Sequence, residues 1–178
     1  RLVPLLRVAD DQWASSVLAA VVKGGDDDSR FAALMLIARE DPESSLEGLR
    51  TFLVSPDWRK RVEAAVTIAK IDKSEKSFEL VRDQLLQLDQ TELDVGVMIL
   101  VQSRLNINYT LDLIEELLAC KNSMGLGPAL MVLADKSERA REIAKRMLRH
   151  EFHWVGFVRM MAHTKWGADG AADIIAES

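Results

Sequence analysis

A pair of helical segments that recurs about every 32 residues constrains the fold of this chain more than any other feature. The first segment of each pair is apolar and rich in alanine and glycine, and its copies lie at residues 29–41, 57–72, 91–106, 122–136 and 152–167. Small residues recur at matching places in these copies: Ala32, Ala64, Gly96, Gly127 and Gly156. A repeat of this length is typical of a solenoid built from helix pairs.

The second segment of each pair is shorter and more charged. Its copies lie at residues 44–54, 75–88, 110–120, 138–150 and 169–177. Capping-type residues lie at or near four of the predicted helix starts, namely Ser44, Asp57, Thr91 and Asn122. Residues 10–23 read as another second helix, whose partner would be residues 1–7. We therefore expect one domain over residues 1–178, with a shortened first pair that indicates a fragment of a longer protein.

Composition favours an all-α fold and excludes several classes of protein. The 178 residues are 48% hydrophobic and 29% charged, with 4 Pro and 9 Gly, and apolar residues follow helical spacing. The net charge of -5 disfavours a general affinity for nucleic acid, which depends on lysine and arginine. No apolar run approaches the ~20 residues that span a bilayer. A single cysteine, Cys120, is expected to be a buried thiol in a cytoplasmic protein.

Residues 57–66, Asp-Trp-Arg-Lys-Arg-Val-Glu-Ala-Ala-Val, resemble the first helix of a HEAT repeat. The shared features are the leading Asp57, the basic residues after it and the paired alanines Ala64 and Ala65. The resemblance implies a right-handed α-solenoid of about five antiparallel helix pairs that acts as a scaffold or adaptor. Small side chains would lie where neighbouring helices cross, because larger ones would push the layers apart.

Two rows of charge are the candidate contact surface. Bases recur at four-residue spacing on one predicted second helix: Arg141, Lys145 and Arg149. Acids lie on the preceding second helix: Asp112, Glu115 and Glu116. The HEAT resemblance implies that second helices line a concave face, where both rows would contact a charged protein partner. The alternatives are that the basic row is a solvated face, or that the two rows neutralise each other. Trp58 is expected to be partly exposed and is added to the contact set, whereas packing in the core is the default for the other tryptophans.

Catalytic and metal-binding patterns are weak in this sequence. His150 and His153 share a three-residue spacing, but the helical HExxH pattern of zinc hydrolases is missing, as are a nucleophile elbow and a glycine-rich phosphate loop. We therefore predict a non-catalytic protein-binding scaffold without cofactor or metal. Two alternatives remain open from the same resemblance: a HEAT-like DNA glycosylase or nucleic-acid-binding module that uses the basic row, and a protein similar to bilin lyases.

Overall fold

The computed structural model describes residues 11–121 and 126–150, and the side chains of residues 13–120 and 126–147. Within these ranges every regular element is helical, which confirms the predicted all-α class. The helices are α1 Asp11–Gly24, α2 Asp27–Glu40, α3 Pro42–Arg50, a 3₁₀ helix Thr51–Val54, α4 Trp58–Asp72, α5 Glu75–Leu86, α6 Gln90–Gln102, α7 Ile107–Lys121, α8 Gly127–Ala134 and α9 Glu138–His150. They group into two compact units that divide between Gln84 and Leu85.

An aspartate begins each of the first three apolar helices of the repeat. Asp26 Oδ1 accepts a hydrogen bond from the Ser29 amide at 2.8 Å, and Asp57 Oδ1 accepts one from the Arg59 amide at 2.9 Å. Asp89 accepts from Glu92 at 2.9 Å, and the Glu92 side chain bonds back to the Asp89 amide, which completes a capping box. The predicted cap at Asp57 is confirmed, whereas the predicted cap at Thr91 is wrong because Asp89 begins α6 earlier.

The charged helices also begin on capping residues. Ser74 Oγ accepts from the Ser77 amide at 3.2 Å, Asn106 Oδ1 from the Asn108 amide at 2.9 Å, and Ser137 Oγ from the Ala140 amide at 3.4 Å. These caps follow one another at intervals of 32 and 31 residues. Ser44, predicted as a cap, lies inside α3 and donates to the Asp41 carbonyl at 3.0 Å. The described caps therefore keep the period read from the sequence.

Counting from the aspartate caps changes the alignment of the small residues that we made from the sequence. The seventh residue after each aspartate cap is Ala33, Ala64 or Gly96, and all three are buried. Ala32, which we aligned with Ala64, is exposed. It is the sixth residue after its cap, so the helical rotation of about 100° per residue turns it away from the buried face. The buried seventh position is thus a small residue in all three helices.

The core of the first unit lies between α2, α3 and α4. Helix α2 packs on α3, and both α3 and the 3₁₀ helix pack on α4. The buried cluster consists of Phe31, Leu34, Leu49, Phe52, Ala64 and Ile68. The expected second helix over residues 44–54 is therefore an α-helix that ends at Arg50 and continues as the 3₁₀ helix, which places Phe52 in this core.

Arg61 fixes the connection between the 3₁₀ helix and α4. Its Nη1 donates to the Ser55 carbonyl at 2.7 Å, and its Nε donates to Gln84 Oε1 at 3.1 Å. Gln84 is buried, and its Nε2 donates to the Leu53 carbonyl at 3.4 Å. These bonds satisfy carbonyl groups that the turn would otherwise leave without partners.

The second unit consists of stacked helix pairs. Helix α6 packs on α7 and α8 packs on α9, while α6 also packs on α8 and α7 on α9. Within this unit the first helices of the two pairs, α6 and α8, contact each other, as do the second helices, α7 and α9. Among the described residues of this unit, the fully buried leucines are Leu85, Leu88, Leu93, Leu100, Leu111, Leu117, Leu126 and Leu130.

A left-handed residue follows two helices: α4 ends at Asp72, as predicted, whereas α6 ends earlier than predicted. Lys73 and Arg104 follow α4 and α6 with φ angles of 54° and 57°, the left-handed conformation that ends a helix. Helix α6 therefore ends at Gln102 rather than at residue 106, and Asn106 is released to cap α7.

Cys120, which we expected to be buried, is exposed near the end of α7. The predicted helices over residues 1–7, 152–167 and 169–177 lie outside the described residues. Among the residues that the structure describes, no helix has the length and apolar character needed to cross a membrane.

Candidate partner-binding surface

Helix α7 carries the predicted acidic residues, and it belongs to the same unit as α9. The Asn106 side chain begins this helix by accepting the Asn108 and Tyr109 amides at 2.9 and 3.3 Å. Buried leucines on the other side of α7 fix its orientation, so that Asp112 is exposed while Glu115 and Glu116 are half-buried. The acids therefore lie at the border between the core and the solvent.

Two arginines of α9 contact this acidic row. Arg139 Nη2 lies 2.5 Å from Asp112 Oδ1 and also donates to Glu115 Oε2, and Arg146 Nη2 donates to Glu115 Oε1. The hydrogen bond from Arg139, followed by that from Arg146, lowers the pKa of the Glu115 carboxyl. The bonds to Glu115 and Asp112 raise the pKa of the Arg139 guanidinium. Both charged forms are thereby stabilised.

The basic row that we singled out has local partners. Arg141 Nε donates to the Ala134 carbonyl at 2.8 Å, and Arg141 Nη1 donates to Glu138 Oε2 at 2.8 Å. Lys145 Nζ lies 3.3 Å from Glu142 Oε1. Arg149 belongs to α9, but its side chain is outside the described set. The structure thus brings Arg139 and Arg146, rather than Arg141 and Lys145, onto Asp112 and Glu115.

Sequence reasoning missed the role of Arg139 and Arg146, although a signal was present. Arg139 lies 27 and 24 residues after its two acidic partners, and Arg146 lies 31 residues after Glu115. Separations of nearly one repeat are expected for contacts between neighbouring second helices. Opposite charges at such separations could have identified the pairs.

Trp58 lies in the first unit, at the first residue of α4. It is half-buried, in agreement with the expected partial exposure, and the Arg59 guanidinium carbon lies 5.4 Å from the ring centre. Trp13, which we assigned to the core by default, is instead 56% exposed on α1. Trp58 is therefore accessible to a partner, although one of its faces is covered by its own neighbour.

The arrangement on α7 and α9 suits the binding of charged groups. Guanidinium and carboxylate groups are exposed together there, and both are strong hydrogen-bonding groups in recognition. Residues 11–121 and 126–150 contain no group of three or more His, Cys, Asp or Glu side chains placed to hold a metal ion. The chemistry that these residues offer is ion pairing and hydrogen bonding.

Replacing Glu115 with glutamine is expected to lower the free energy of unfolding at neutral pH. The loss should be at most about 1 kcal/mol, because the ion pairs that Glu115 forms are largely exposed. The folded pKa of Glu115 is lowered, so its stabilising effect is present above the unfolded pKa of about 4.3 and is lost as the pH falls through the folded value. Thermal melts from pH 7 to pH 3 should therefore show a difference from wild type that shrinks with acid.

Glu142→Gln is the matched control for this experiment, because Glu142 pairs with Lys145 on its own helix and does not join α7 to α9. It should change the melting temperature less. Equal effects of the two substitutions at pH 7, or a Glu115→Gln effect that persists unchanged at pH 3, would contradict the assigned role of Glu115.

Comparison with protein-family models, characterised proteins and solved structures gives no match for this chain.

Proposed function

We propose that this chain is a non-catalytic protein-binding module, a scaffold or adaptor built from HEAT-like helix pairs. About five such pairs would stack as a right-handed solenoid, in which the second helices line a concave surface. Solenoids of this kind bind partners over extended surfaces because each repeat adds one helix to the same face. We place the module in the cytoplasm, where a single cysteine such as Cys120 remains a thiol.

The observation that carries the proposal is the stacking of α6 on α8 and of α7 on α9. The regular caps support it, since aspartates begin α2, α4 and α6 at intervals of 31 and 32 residues. A chain that repeats one helix pair at a nearly constant interval produces a repeated surface, and such a surface is suited to binding another polypeptide.

The contact residues in this proposal are those of the second helices, together with Trp58 on α4. The acids are Asp112, Glu115 and Glu116, and the bases are Arg141, Lys145 and Arg149. A protein partner could form new ion pairs with Arg141 and Lys145, because Glu138 and Glu142 pair with them across one helical turn and are themselves exposed. Ion pairs of this exposed type are weak and exchange readily.

Affinity capture from a lysate of the source cell tests the proposal. The bait proteins are the wild type, the triple variant Arg141→Ala, Lys145→Ala, Arg149→Ala, and a control in which Lys70, Lys73 and Lys76 are replaced by alanine. The control removes the same number of positive charges from exposed positions in the first unit. We expect specific proteins to be retained by the wild type and the control but lost by the first variant, with or without nuclease.

Three outcomes contradict the proposal. Nuclease-sensitive capture, with DNA retention that falls steeply as salt rises, would favour a nucleic-acid-binding module instead. Equal loss in both triple variants would indicate general charge attraction. The absence of any specifically retained protein would argue against an adaptor.

A further inference from the structure

The acidic row and the basic row differ in how they are already paired. Two of the three acids are tied to α9: both carboxylate oxygens of Glu115 accept hydrogen bonds, Oε2 from Arg139 and Oε1 from Arg146. Arg139 Nη2 also lies 2.5 Å from Asp112 Oδ1. A cation of a partner protein would meet carboxylates whose charge is already balanced by arginines of this chain. The acidic row therefore serves to hold α9 against α7.

The basic row is paired only within its own helix. Among the described residues, Arg141 and Lys145 form ion pairs with Glu138 and Glu142, each acid lying three residues before its base. Both bases are half-buried, whereas the side chains of the two acids are 70% and 58% exposed, so the acids are the outer members of the pairs. An exposed pair across one helical turn stabilises a helix only slightly. Another acid can therefore replace Glu138 or Glu142 at little cost.

The Arg141 side chain is held in place independently of Glu138. Its Nε donates at 2.8 Å to the carbonyl of Ala134, the last residue of α8. A guanidinium that is already positioned loses less conformational freedom on binding, and its planar set of donors matches a carboxylate. Lys145 follows one turn later on α9, so the two bases are attached about 6 Å apart along the helix axis.

We propose that the basic row binds an acidic segment of the partner protein, in which carboxylates recur about every 6 Å. This inference rests on the proposed function and names the partner chemistry for its basic contacts. Alternate residues of an extended chain supply this spacing, since they lie about 6.4–6.8 Å apart. Each incoming carboxylate takes the place of Glu138 or Glu142, and the displaced acid turns to the solvent. Arg149 continues the same four-residue spacing in the sequence.

Three capped peptides test the sign of the charge that the surface binds. The probe is Glu-Ser-Glu-Ser-Glu, its neutral counterpart replaces each glutamate with glutamine, and its opposite replaces each with lysine. Titration of the full chain at low salt is followed by the backbone amide signals in NMR spectra. We expect the glutamate peptide to shift the α9 signals, the glutamine peptide to shift none, and the lysine peptide to leave the α7 signals nearly unchanged.

Removing the competing acids should strengthen binding of the glutamate peptide. The double variant Glu138→Gln, Glu142→Gln should tighten it about two- to five-fold, the factor that corresponds to two pairs across one helical turn. The double variant Glu43→Gln, Glu47→Gln is the matched control. Both of its residues are exposed on α3, with the same four-residue spacing and the same change in net charge. It should change the affinity less.

Removing one base should weaken binding without disturbing the contact between Arg141 and α8. Lys145→Gln is chosen for this reason, and it should weaken binding of the glutamate peptide about two- to five-fold, the factor for one exposed ion pair. Lys76→Gln removes the same charge from an exposed position on α5 and should have a smaller effect.

Four outcomes overturn the inference: the glutamate and glutamine peptides bind alike, neither binds, the α3 variant tightens binding as much as the α9 variant, or a DNA trinucleotide binds α9 more tightly than the glutamate peptide. In those cases nuclease-resistant capture of a protein that depends on the basic row would still support the proposed function. Binding of the glutamate peptide without any captured protein would contradict the proposed function alone.

Discussion

Replacing Phe52 with alanine is expected to lower the free energy of unfolding by about 3–5 kcal/mol, the range for a buried phenylalanine whose cavity does not collapse. Phe52 is only 3% exposed, although Thr51 and Val54 of the same short 3₁₀ helix are exposed. Its ring packs against Phe31 with the ring centres 5.0 Å apart and an angle of 60° between the planes. This tilted geometry is favourable for aromatic pairs.

The loss of stability would include more than the contact between the Phe52 and Phe31 rings. The Arg30 guanidinium carbon lies 5.9 Å from the centre of the Phe52 ring, so a cation–π contact is removed as well. Leu34, Leu49 and Ile68 belong to the same cluster and would line the resulting cavity. We expect the 3₁₀ helix to lose its attachment to α4, because Phe52 is its buried residue.

Val54→Ala is the matched control, because Val54 lies in the same 3₁₀ helix but is 86% exposed. It should change the free energy of unfolding by less than about 0.5 kcal/mol. Urea denaturation followed by circular dichroism measures both variants. Similar losses for the two substitutions would show that the segment contributes through its backbone and that Phe52 does not anchor the core.

The sequence predicted α4 best, and the reason lies in its particular residues. Asp57 is a strong capping residue, and the apolar residues that follow helical spacing in this segment, such as Val62, Val66 and Ala69, are buried. Local signals and tertiary packing agree in this helix, so its limits and its buried face could both be read from the chain.

Other elements could not be predicted because long-range contacts decide them. The 3₁₀ helix after α3 forms where Phe52 enters a cluster supplied by α2 and α4, and no local pattern indicates this contact. Helix α6 ends early because Arg104 adopts a left-handed conformation that usually favours glycine. The cations that pair with the acidic row are determined by the face of α9 that lies against α7. Periodicity along α9 does not indicate this face, and it suggested Arg141 and Lys145 in place of Arg139 and Arg146.

Gly48→Ala is expected to destabilise the first unit by about 1–2 kcal/mol, although the same change in an open helix stabilises by about 1 kcal/mol. Gly48 lies inside α3, where a β-carbon would come within 2.5 and 2.9 Å of the two terminal carbons of Leu34. Leu34 is 3% exposed and belongs to the buried cluster, so its side chain must move into occupied space. Overpacking of this kind costs about 1–3 kcal/mol.

A double-mutant cycle with Leu34→Ala separates overpacking from any other effect of the added methyl group. Leu34→Ala alone should cost about 2–5 kcal/mol because it leaves a cavity. In that background Gly48→Ala should become neutral or stabilising, since the atoms that it would meet are gone and the gain in helix propensity remains. The expected coupling of about 2 kcal/mol, measured by urea denaturation, is within the range for residues in contact.

A Gly48→Ala loss that is the same in both backgrounds would mean that the added methyl group clashes with the backbone of α3 and not with the side chain of Leu34. The reversal of sign would instead show that close approach of α2 and α3 requires glycine at this position, the same physical requirement that small residues meet at Ala33, Ala64 and Gly96 in the repeat.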